Sequence, residues 1–100
     1  MYKLDVSDLA HEDLNSIIRY IAEKLCAPQA AADFADEVDK TYGRLRENPF
    51  QFSLCNHPRL AREGYRRAVI KHYILVFKVD GKQVVVYRYF YGRQNYSELI

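Results

Sequence analysis

The hydrophobic pattern of the chain changes from a helical period to a strand period between residues 48 and 64, and this change constrains the fold more than any other feature. Before residue 48, apolar side chains recur every three or four residues, as on one face of an α-helix; after residue 64, β-branched and aromatic residues dominate. A helical half and a strand half bury their apolar faces by packing on each other. We therefore predict an α+β fold, as a single domain over residues 1–100, because a chain of this length supports one core.

The first half predicts a short strand followed by an antiparallel helical hairpin. Residues 2–6 alternate apolar and polar side chains, and Ser7 is suited to cap the helix that follows. The apolar stripe of this helix consists of Leu14, Ile17, Ile18, Ile21 and Leu25. Pro28 suits the first turn of a second helix, which Asn48-Pro49 ends. The short connection between the two helices makes them antiparallel neighbours.

The second half predicts a three-stranded antiparallel meander that forms one twisted sheet against the helices. The strands are expected at Tyr65–Ile70, Tyr73–Val79 and Gln83–Tyr91. Asp80-Gly81 is a strong hairpin signal, whereas Lys71-His72 is a poor two-residue turn. Residues 49–64 form a connection long enough to predict a functional loop, and the tail from Gln94 is expected to close the fold as a short helix or strand.

Alternation along the hairpin assigns each strand residue to one of two faces. The face toward the helices is predicted to hold Tyr73, Leu75, Phe77, Val79, Val84, Val86, Arg88 and Phe90. The outer face is predicted to hold Ile74, Val76, Lys78, Val85, Tyr87, Tyr89 and Tyr91. A two-residue turn at Lys71-His72 adds Arg67 to the outer face and Arg66 to the core side, and a shift of one residue reverses this. Either these tyrosines are accessible, or a second layer such as the tail covers them.

Charge is distributed unevenly between the two halves. Residues 1–48 contain six basic and ten acidic residues, a formal charge of −4, whereas residues 49–100 contain nine basic and three acidic residues, a formal charge of +6. The basic half also holds ten of the fourteen aromatic residues. Cations bind phosphates and rings stack on bases, so this composition favours a polyanionic target.

Several classes of protein do not fit the sequence. It contains no apolar run of the roughly 20 residues that a membrane span needs, and the first residues lack the apolar segment of a secretory signal. Cys26 and Cys55 are expected to be reduced thiols, and we expect no metal and no cofactor, since no histidine, cysteine and carboxylate set has ligand spacing. We expect a cytoplasmic protein without a membrane partner.

Taken in order, the motifs of the chain resemble the RelE/ParE family of toxins from bacterial type II toxin–antitoxin modules. The opening from Leu4 to Ile21 is similar to the family's first strand and helix, and Pro28 to Pro49 to its second helix. Gly64-Tyr65-Arg66 and the hairpin through Asp80-Gly81 resemble its central arginine-bearing strand and hairpin. Tyr91-Gly92-Arg93, with Tyr96 and Leu99 after it, resembles the C-terminal signature. The resemblance covers nearly the whole chain.

This resemblance implies a toxin that arrests growth when it is free of its antitoxin, as in plasmid-stabilisation systems. Some family members cut messenger RNA on the ribosome, and others inhibit DNA gyrase. The expected partner is an acidic antitoxin encoded in the same operon, and a homodimer or a toxin–antitoxin hetero-oligomer is an open alternative. A third interpretation is a catalytically inert domain that only pairs with its antitoxin or regulates its own transcription.

The resemblance and the predicted faces together nominate site residues. For RNA cleavage, the tentative catalytic residues are three arginines and one tyrosine. Arg66, Arg67 and Arg93 would supply cations for the phosphate, and the phenol of Tyr91 would orient or stack on the substrate. The predicted target- or nucleic-acid-binding residues are Lys71, Lys78, Tyr87, Tyr89 and Tyr96. The predicted antitoxin anchors are Ile74 and Val76. Arg88 is expected to form an ion pair rather than to bind a ligand.

The catalytic set of the cleaving members is only partly matched. Ile74 and Gln94 stand where some of them have an arginine, and Phe90-Tyr91 stands where others have a His-Tyr pair. A phenol with a pKa near 10 is a poor general base, so proton transfer has no evident residue. The Tyr-Ile and Tyr-Gly-Arg sequences look more like the gyrase-inhibiting or uncharacterised branches. Gyrase inhibition, RNA cleavage and inert pairing therefore all remain open at this point.

Overall fold

In a computed structural model that describes residues 1–92 and 94–100, the described residues form three α-helices, three shorter helical turns and a four-stranded sheet. The elements are β1 (Lys3–Val6), α1 (Asp8–Arg19), a π-helical turn (Tyr20–Lys24), α2 (Pro28–Glu47), a 3₁₀ turn (Pro49–Gln51), α3 (Pro58–Arg62), β2 (Arg66–Ile70), β3 (Tyr73–Asp80), β4 (Gln83–Tyr91) and a 3₁₀ turn (Tyr96–Leu99). The predicted α+β fold is confirmed.

Local signals act at the helix ends as the sequence predicts. The Ser7 hydroxyl accepts a hydrogen bond from the Ala10 amide at 3.0 Å, which caps α1. Pro28 occupies the first turn of α2, and Asn48, in extended conformation before Pro49, ends it. The connection between the helices is short, and Cys26 takes a positive φ of 50° there.

The strand order in the sheet is β1-β4-β3-β2, with β1 parallel to β4 and the other pairs antiparallel. The inner face packs on α1 and α2 through a core that includes Phe34, Leu45, Leu75 and Phe77. The turn between β2 and β3 consists of Lys71 and His72, because Ile70 pairs with Tyr73. Of the alternatives that the sequence left open, the structure thus has the two-residue turn, with Arg67 on the outer face and Arg66 on the side of the helices.

A β-bulge in β4 changes the predicted faces. Asp80 pairs with Gln83, so the β3–β4 turn consists of Gly81 and Lys82 instead of Asp80 and Gly81. The strand pairing is therefore shifted by two residues from the predicted one, and an even shift leaves the side chains before the bulge on their predicted faces. Val76 then pairs with Arg88 while Phe77 pairs with Val86, which leaves Tyr87 as the extra residue. Because one extra residue reverses alternation beyond it, the predicted faces of Arg88, Tyr89, Phe90 and Tyr91 were wrong.

Candidate functional site at the outer face and the tyrosine cleft

Part of the outer face of the sheet is covered by other parts of the same chain. A second group of buried residues lies there, which we call the outer cluster: Cys55, Leu60, Ile74, Val76 and Phe90. The segment through α3 and the final residues pack over this cluster, with Tyr65, Tyr96 and Ile100 at its margin. The alternative in which a second layer covers the face is thus the one that the structure adopts for these residues.

The final residues, Tyr96–Ile100, act as a strap that is fastened at two points. The Arg59 Nη2 donates to the Ser97 carbonyl at 2.6 Å and to the Ile100 carbonyl at 3.1 Å, while its Nη1 contacts Glu63 at 2.9 Å. The Tyr96 ring stacks on Phe90, with centroids 5.2 Å apart and planes inclined by 17°. The strap therefore leaves Ile74 only 8% exposed and Val76 fully buried.

This burial corrects the prediction for the antitoxin anchors. Ile74 and Val76 were expected to be open for a partner, yet both lie beneath the strap and α3. A partner reaches them only after the chain's own C-terminal residues have moved. The sequence offered a covering tail only as one of two alternatives, because no local signal indicates where a tail will pack.

Arg67 lies at the margin of the outer cluster. Its Nη2 is 3.5 Å from the Asn56 Oδ1, and its Nε is buried without a hydrogen-bond partner among the described residues. Burial raises the pKa of the neighbouring Cys55 thiol, and burial likewise raises the pKa of the Tyr96 phenol. Both groups therefore keep their protons at neutral pH, so neither serves as a base beside Arg67.

Arg66 points away from this region. Its Nη1 donates to the Phe52 carbonyl at 2.6 Å, and its guanidinium lies over the Phe50 ring at 5.0 Å. The two adjacent arginines of the predicted catalytic set are thus separated by the sheet. They cannot bind one phosphate together in this conformation.

The uncovered part of the outer face presents an aromatic and basic surface. The Lys78 Nζ lies 5.0 Å from the centroid of the Tyr65 ring, and Tyr65 contacts Tyr87 edge to face at 5.3 Å. Lys78, Tyr87 and Val85 line a shallow cavity of about 260 Å³. Lys78 and Tyr87 are therefore both partly accessible, as the sequence predicted.

Tyr89 is the clearest correction among the predicted target-binding residues. The bulge turns it toward the helices, where it is 3% exposed and its hydroxyl lies 2.5 Å from that of Tyr42. Burial raises the pKa of Tyr89 above the ordinary phenol value, and the hydrogen bond with Tyr42 adds to this effect. Tyr89 is a core residue and does not face a target in this conformation.

The same bulge places Tyr91 at the mouth of a cleft between the helices and the sheet. Tyr91 is 46% exposed and meets Tyr73 edge to face at 5.7 Å. A cavity of about 410 Å³ extends from it to Tyr20, Leu25 and Phe34, and we call this the tyrosine cleft. Tyr20 and Leu25 are about half exposed, so the cleft is an apolar surface left open by this chain.

Lys71 and His72 form the rim of the tyrosine cleft. Both also line an adjoining cavity of about 340 Å³ with Val69 and Tyr91. The Gly92 amide donates to the His72 carbonyl at 2.9 Å, which brings the end of β4 to this turn. Arg93, the remaining predicted catalytic residue, lies outside the described residues.

Arg88 forms the ion pair that the sequence predicted. Its Nε donates to Asp13 Oδ2 at 2.7 Å and its Nη2 to Oδ1 at 3.1 Å, across the edge of the sheet that β1 leaves open. The pairing prediction is confirmed. The predicted core-side position of Arg88 was wrong, because the bulge places it beside Phe90, with the guanidinium 5.2 Å from that ring.

The described residues provide no group of three or more histidine, cysteine, aspartate or glutamate side chains able to hold a metal ion. None of the helices in the same residues has the length and apolar character required to cross a membrane.

A sequence model described as the ParE toxin of the type II toxin–antitoxin system parDE matches residues 4–96. The chain belongs to the ParE toxin family. It is thus a type II toxin of the ParE/RelE fold, in agreement with the resemblance seen in the sequence. None of the curated proteins compared with this sequence matches it.

Solved structures agree with this assignment at the level of the fold. This ParE-family toxin is similar to a chain of the chromosomal ParDE system from P. aeruginosa, with a TM-score of 0.73 and 20% identity over 91% of this chain and 96% of that chain. It is also similar to a chain of the RelBE2 toxin–antitoxin complex from Mycobacterium tuberculosis (TM-score 0.62, 19% identity, 90% and 96% covered). YafQ from E. coli is similar as well, with a TM-score of 0.58 and 15% identity over 91% of this chain and 93% of that chain.

Sequence reasoning missed several residues of the tyrosine cleft. Tyr20 and Leu25 were assigned to the apolar stripe of the first helix or left unassigned, and Tyr73 was assigned to the core. The useful signal was the length of the stripe: Leu25 continues it past the last residue of α1 and is left about half exposed. His72 lies exposed at the rim of the cleft.

Proposed function

We propose that this toxin arrests growth by binding DNA gyrase and blocking its activity, and that it is held inactive by an antitoxin from the same operon. The observation that carries the proposal is that residue 74 is an isoleucine and is buried. This position holds an arginine in some RNA-cleaving relatives, whereas here it is apolar and buried under the strap. Inhibition by binding needs no proton-transfer group, so the lack of one beside Arg67 is consistent with it.

RNA cleavage is the second candidate, and it is favoured by one specific arrangement. His72, Lys71 and Tyr91 share the cavity at the end of β3 and β4, so an imidazole, an ammonium group and a phenol surround one space. Cleavage through the 2′-hydroxyl requires a base, a cation for the developing charge, and a means of orienting the strand. This arrangement offers a group for each of these requirements.

One parallel experiment separates these functions. The purified toxin is added to a gyrase supercoiling assay and to translating ribosomes, and the messenger RNA is mapped for cuts. Gyrase inhibition with intact message is the expected result. Codon-phased cuts that disappear in His72→Gln, with normal supercoiling, would overturn the proposal in favour of RNA cleavage, and a folded protein that leaves both supercoiling and message unchanged would overturn it in favour of inert pairing.

We further propose that the antitoxin docks in the tyrosine cleft, in place of the buried Ile74 and Val76. The cleft combines exposed Tyr20, Leu25 and Tyr91 with a cavity of about 410 Å³, which is large enough to receive an aromatic or branched side chain. Lys71 at its rim complements the acidic character expected of an antitoxin. An apolar anchor in a pocket with a charged rim is the usual arrangement of a stable protein interface.

The docking site is tested by co-expressing the tagged toxin with the product of the adjacent reading frame. Leu25→Asp is expected to reduce co-purification at least ten-fold, because a carboxylate then faces the apolar cavity. Leu9→Asp is the matched control, since Leu9 is 54% exposed and Leu25 55% exposed. Equal retention of the partner by both variants would contradict the site.

A further inference from the structure

A second basic and aromatic surface lies at the end of the sheet opposite the tyrosine cleft. It is formed where β1 begins, α2 ends, β2 begins and β3 turns into β4. We call it the Phe50 patch and define it by four side chains, each of which contacts the next: Lys82, Tyr2, Phe50 and Arg66. The backbone of Arg46 contacts the patch at Tyr2. Neither the outer face nor the cleft includes these residues.

Within the patch, two aromatic rings lie side by side with one cation at each end. The Lys82 Nζ lies 5.4 Å from the Tyr2 ring centroid, Tyr2 meets Phe50 at 6.2 Å with planes inclined by 75°, and the Arg66 guanidinium lies 5.0 Å above Phe50. Each cation is therefore held against the face of a ring. The order of these contacts makes the patch one continuous surface.

Backbone hydrogen bonds fix the patch. The Tyr2 amide donates to the Arg46 carbonyl at 2.8 Å, and the Lys3 amide donates to the Lys82 carbonyl at 2.8 Å. The Asn48 side chain accepts from the Phe50 amide at 3.1 Å, which holds the 3₁₀ turn in place. The rings are thus positioned by main-chain contacts before any partner arrives, which reduces the entropy lost on binding.

The Phe50 side chain is not packed into the core and is left partly open to solvent. Its neighbour Pro49 is buried, but Phe50 itself is 52% exposed while Arg66 covers one side of its ring. A phenyl ring left half open between cations offers a face on which a flat group can stack. Nucleic-acid bases are the common biological partners with both a flat face and an attached negative charge.

The cations of the patch are not neutralised within the chain. Among the described residues, no carboxylate lies within 4.0 Å of the charged groups of Arg66 or Lys82. Glu47 and Asp80 are exposed and lie near Arg46 and Lys82 in the sequence, so the edge of the patch also carries negative charge.

We propose that the Phe50 patch binds single-stranded nucleic acid, with a base stacked on the open face of Phe50 and phosphates held by Lys82 and Arg66. An acidic peptide would use the cations but would gain little from the open ring face. The paired bases of a duplex have their faces occupied by stacking. The combination of an open ring with flanking cations therefore favours a single strand, whichever cellular target the toxin has.

The test measures binding of the purified full chain to a fluorescein-labelled single-stranded DNA of twelve nucleotides and mixed sequence. Phe50→Leu keeps the apolar character but loses the ring, and we expect it to weaken binding by between about five-fold and a hundred-fold. Lys82→Gln is expected to lower the slope of log affinity against log salt by about 0.7, the value for one phosphate contact. Lys24→Gln, also an exposed lysine but at the tip of the helical hairpin, is expected to leave the slope unchanged.

Two results would overturn the proposal. One is equal affinity of Phe50→Leu and the unmodified chain for the strand, with circular dichroism confirming that both are folded. The other is tighter binding of a labelled poly-glutamate peptide or of the same DNA as a duplex, which would assign the patch to an acidic protein or to double-stranded DNA. The supercoiling and message assays do not enter this test, so failure here is distinguishable from failure of the proposed function.

Discussion

Asp13 joins the first helix to the last strand through three hydrogen bonds. Its carboxylate accepts two from Arg88 and a third from the Tyr89 amide at 3.0 Å, at the point where β4 extends past β1. The side chain of Asp13 is 18% exposed and that of Arg88 27% exposed, so solvent screens this pair less than an exposed one. The Asp13 carboxylate therefore accepts a hydrogen bond from a backbone amide that no neighbouring strand pairs with, and it also neutralises Arg88.

Replacement of Asp13 tests this arrangement. We expect Asp13→Ala to lower the free energy of unfolding by about 2–3 kcal/mol, because it leaves Arg88 and a strand amide without their partner. Glu63→Ala is the control, since Glu63 and Arg59 form a more exposed pair and should contribute less than about 1 kcal/mol. Urea unfolding of both variants provides the comparison, and equal losses would contradict a special role for Asp13.

The Tyr42–Tyr89 pair makes stability depend on alkaline pH. Burial raises the pKa of both phenols, so the folded chain holds these protons more tightly than the unfolded chain, whose phenols titrate near 10. Their contribution is therefore complete below about pH 10 and is lost progressively as the pH rises above that value. Unfolding free energies at pH 8 and pH 11 should differ less in Tyr42→Phe/Tyr89→Phe than in the unmodified chain; an identical difference would contradict this assignment.

At the scale of elements, the β2–β3 turn has a conformation that its sequence does not favour. Lys71 has a φ of 56°, and only Cys26 shares a positive φ among the described non-glycine residues. Such a conformation costs an L-residue with a Cβ about 1–2 kcal/mol. The pairing of β2 with β3 and the packing of Ile70 nevertheless hold the turn at two residues.

Glycine at this position should relieve the strain. We expect Lys71→Gly to raise the free energy of unfolding by about 0.5–1 kcal/mol, which is less than the full strain because glycine has more freedom in the unfolded chain. His72→Gly, in the same turn but without a positive φ, should lower it. Thermal unfolding of the two variants checks the prediction, and stabilisation by both would show that backbone strain is not the cause.

The strap is the element that closes the outer face. Tyr96→Ala removes the ring stacked on Phe90, and we expect it to lower the free energy of unfolding by about 1–3 kcal/mol and to increase binding of a hydrophobic dye. Leu99→Ala is the matched change in the same element, since Leu99 is 50% exposed, and it should cost less than about 0.5 kcal/mol. Unchanged dye binding by Tyr96→Ala would mean that the strap does not seal the outer cluster.

On the scale of the whole molecule, one sheet is shared by two hydrophobic clusters. Leu75 and Phe77 belong to the inner core and Val76 to the outer cluster, so successive residues of β3 contribute to opposite sides. Neither side can lose its packing without exposing the strand that supports the other. The chain is therefore expected to unfold as one unit despite having two clusters.

Substitutions in each cluster test this cooperativity. Phe34→Ala in the inner core and Leu60→Ala in the outer cluster should each lower the free energy of unfolding by about 2–5 kcal/mol, since both side chains are almost fully buried. Tyrosine fluorescence and far-ultraviolet circular dichroism should give one coincident transition in every case; the chain has nine tyrosines and no tryptophan. Separate transitions in Leu60→Ala would mean that the outer cluster unfolds independently.

The sequence by itself determined the elements of this protein and its family. Ser7, Pro28 and Asn48 set helix ends through their own backbone and side-chain chemistry, and the two hydrophobic periods distinguished helices from strands. The motifs that relate the chain to ParE toxins are likewise properties of the order of residues. These signals act over a few positions, so they are legible without knowledge of the distant parts of the chain.

Tertiary structure decided which residues can act on a partner. The bulge at Tyr87 turned Tyr89 inward and Tyr91 toward the helices, the strap buried Ile74 and Val76, and the sheet separated Arg66 from Arg67. Each outcome depends on pairing or packing between segments far apart in the sequence, and one added residue reverses every side chain after it. Local patterns carry no information about such choices, because their free energy arises only when the distant segments meet.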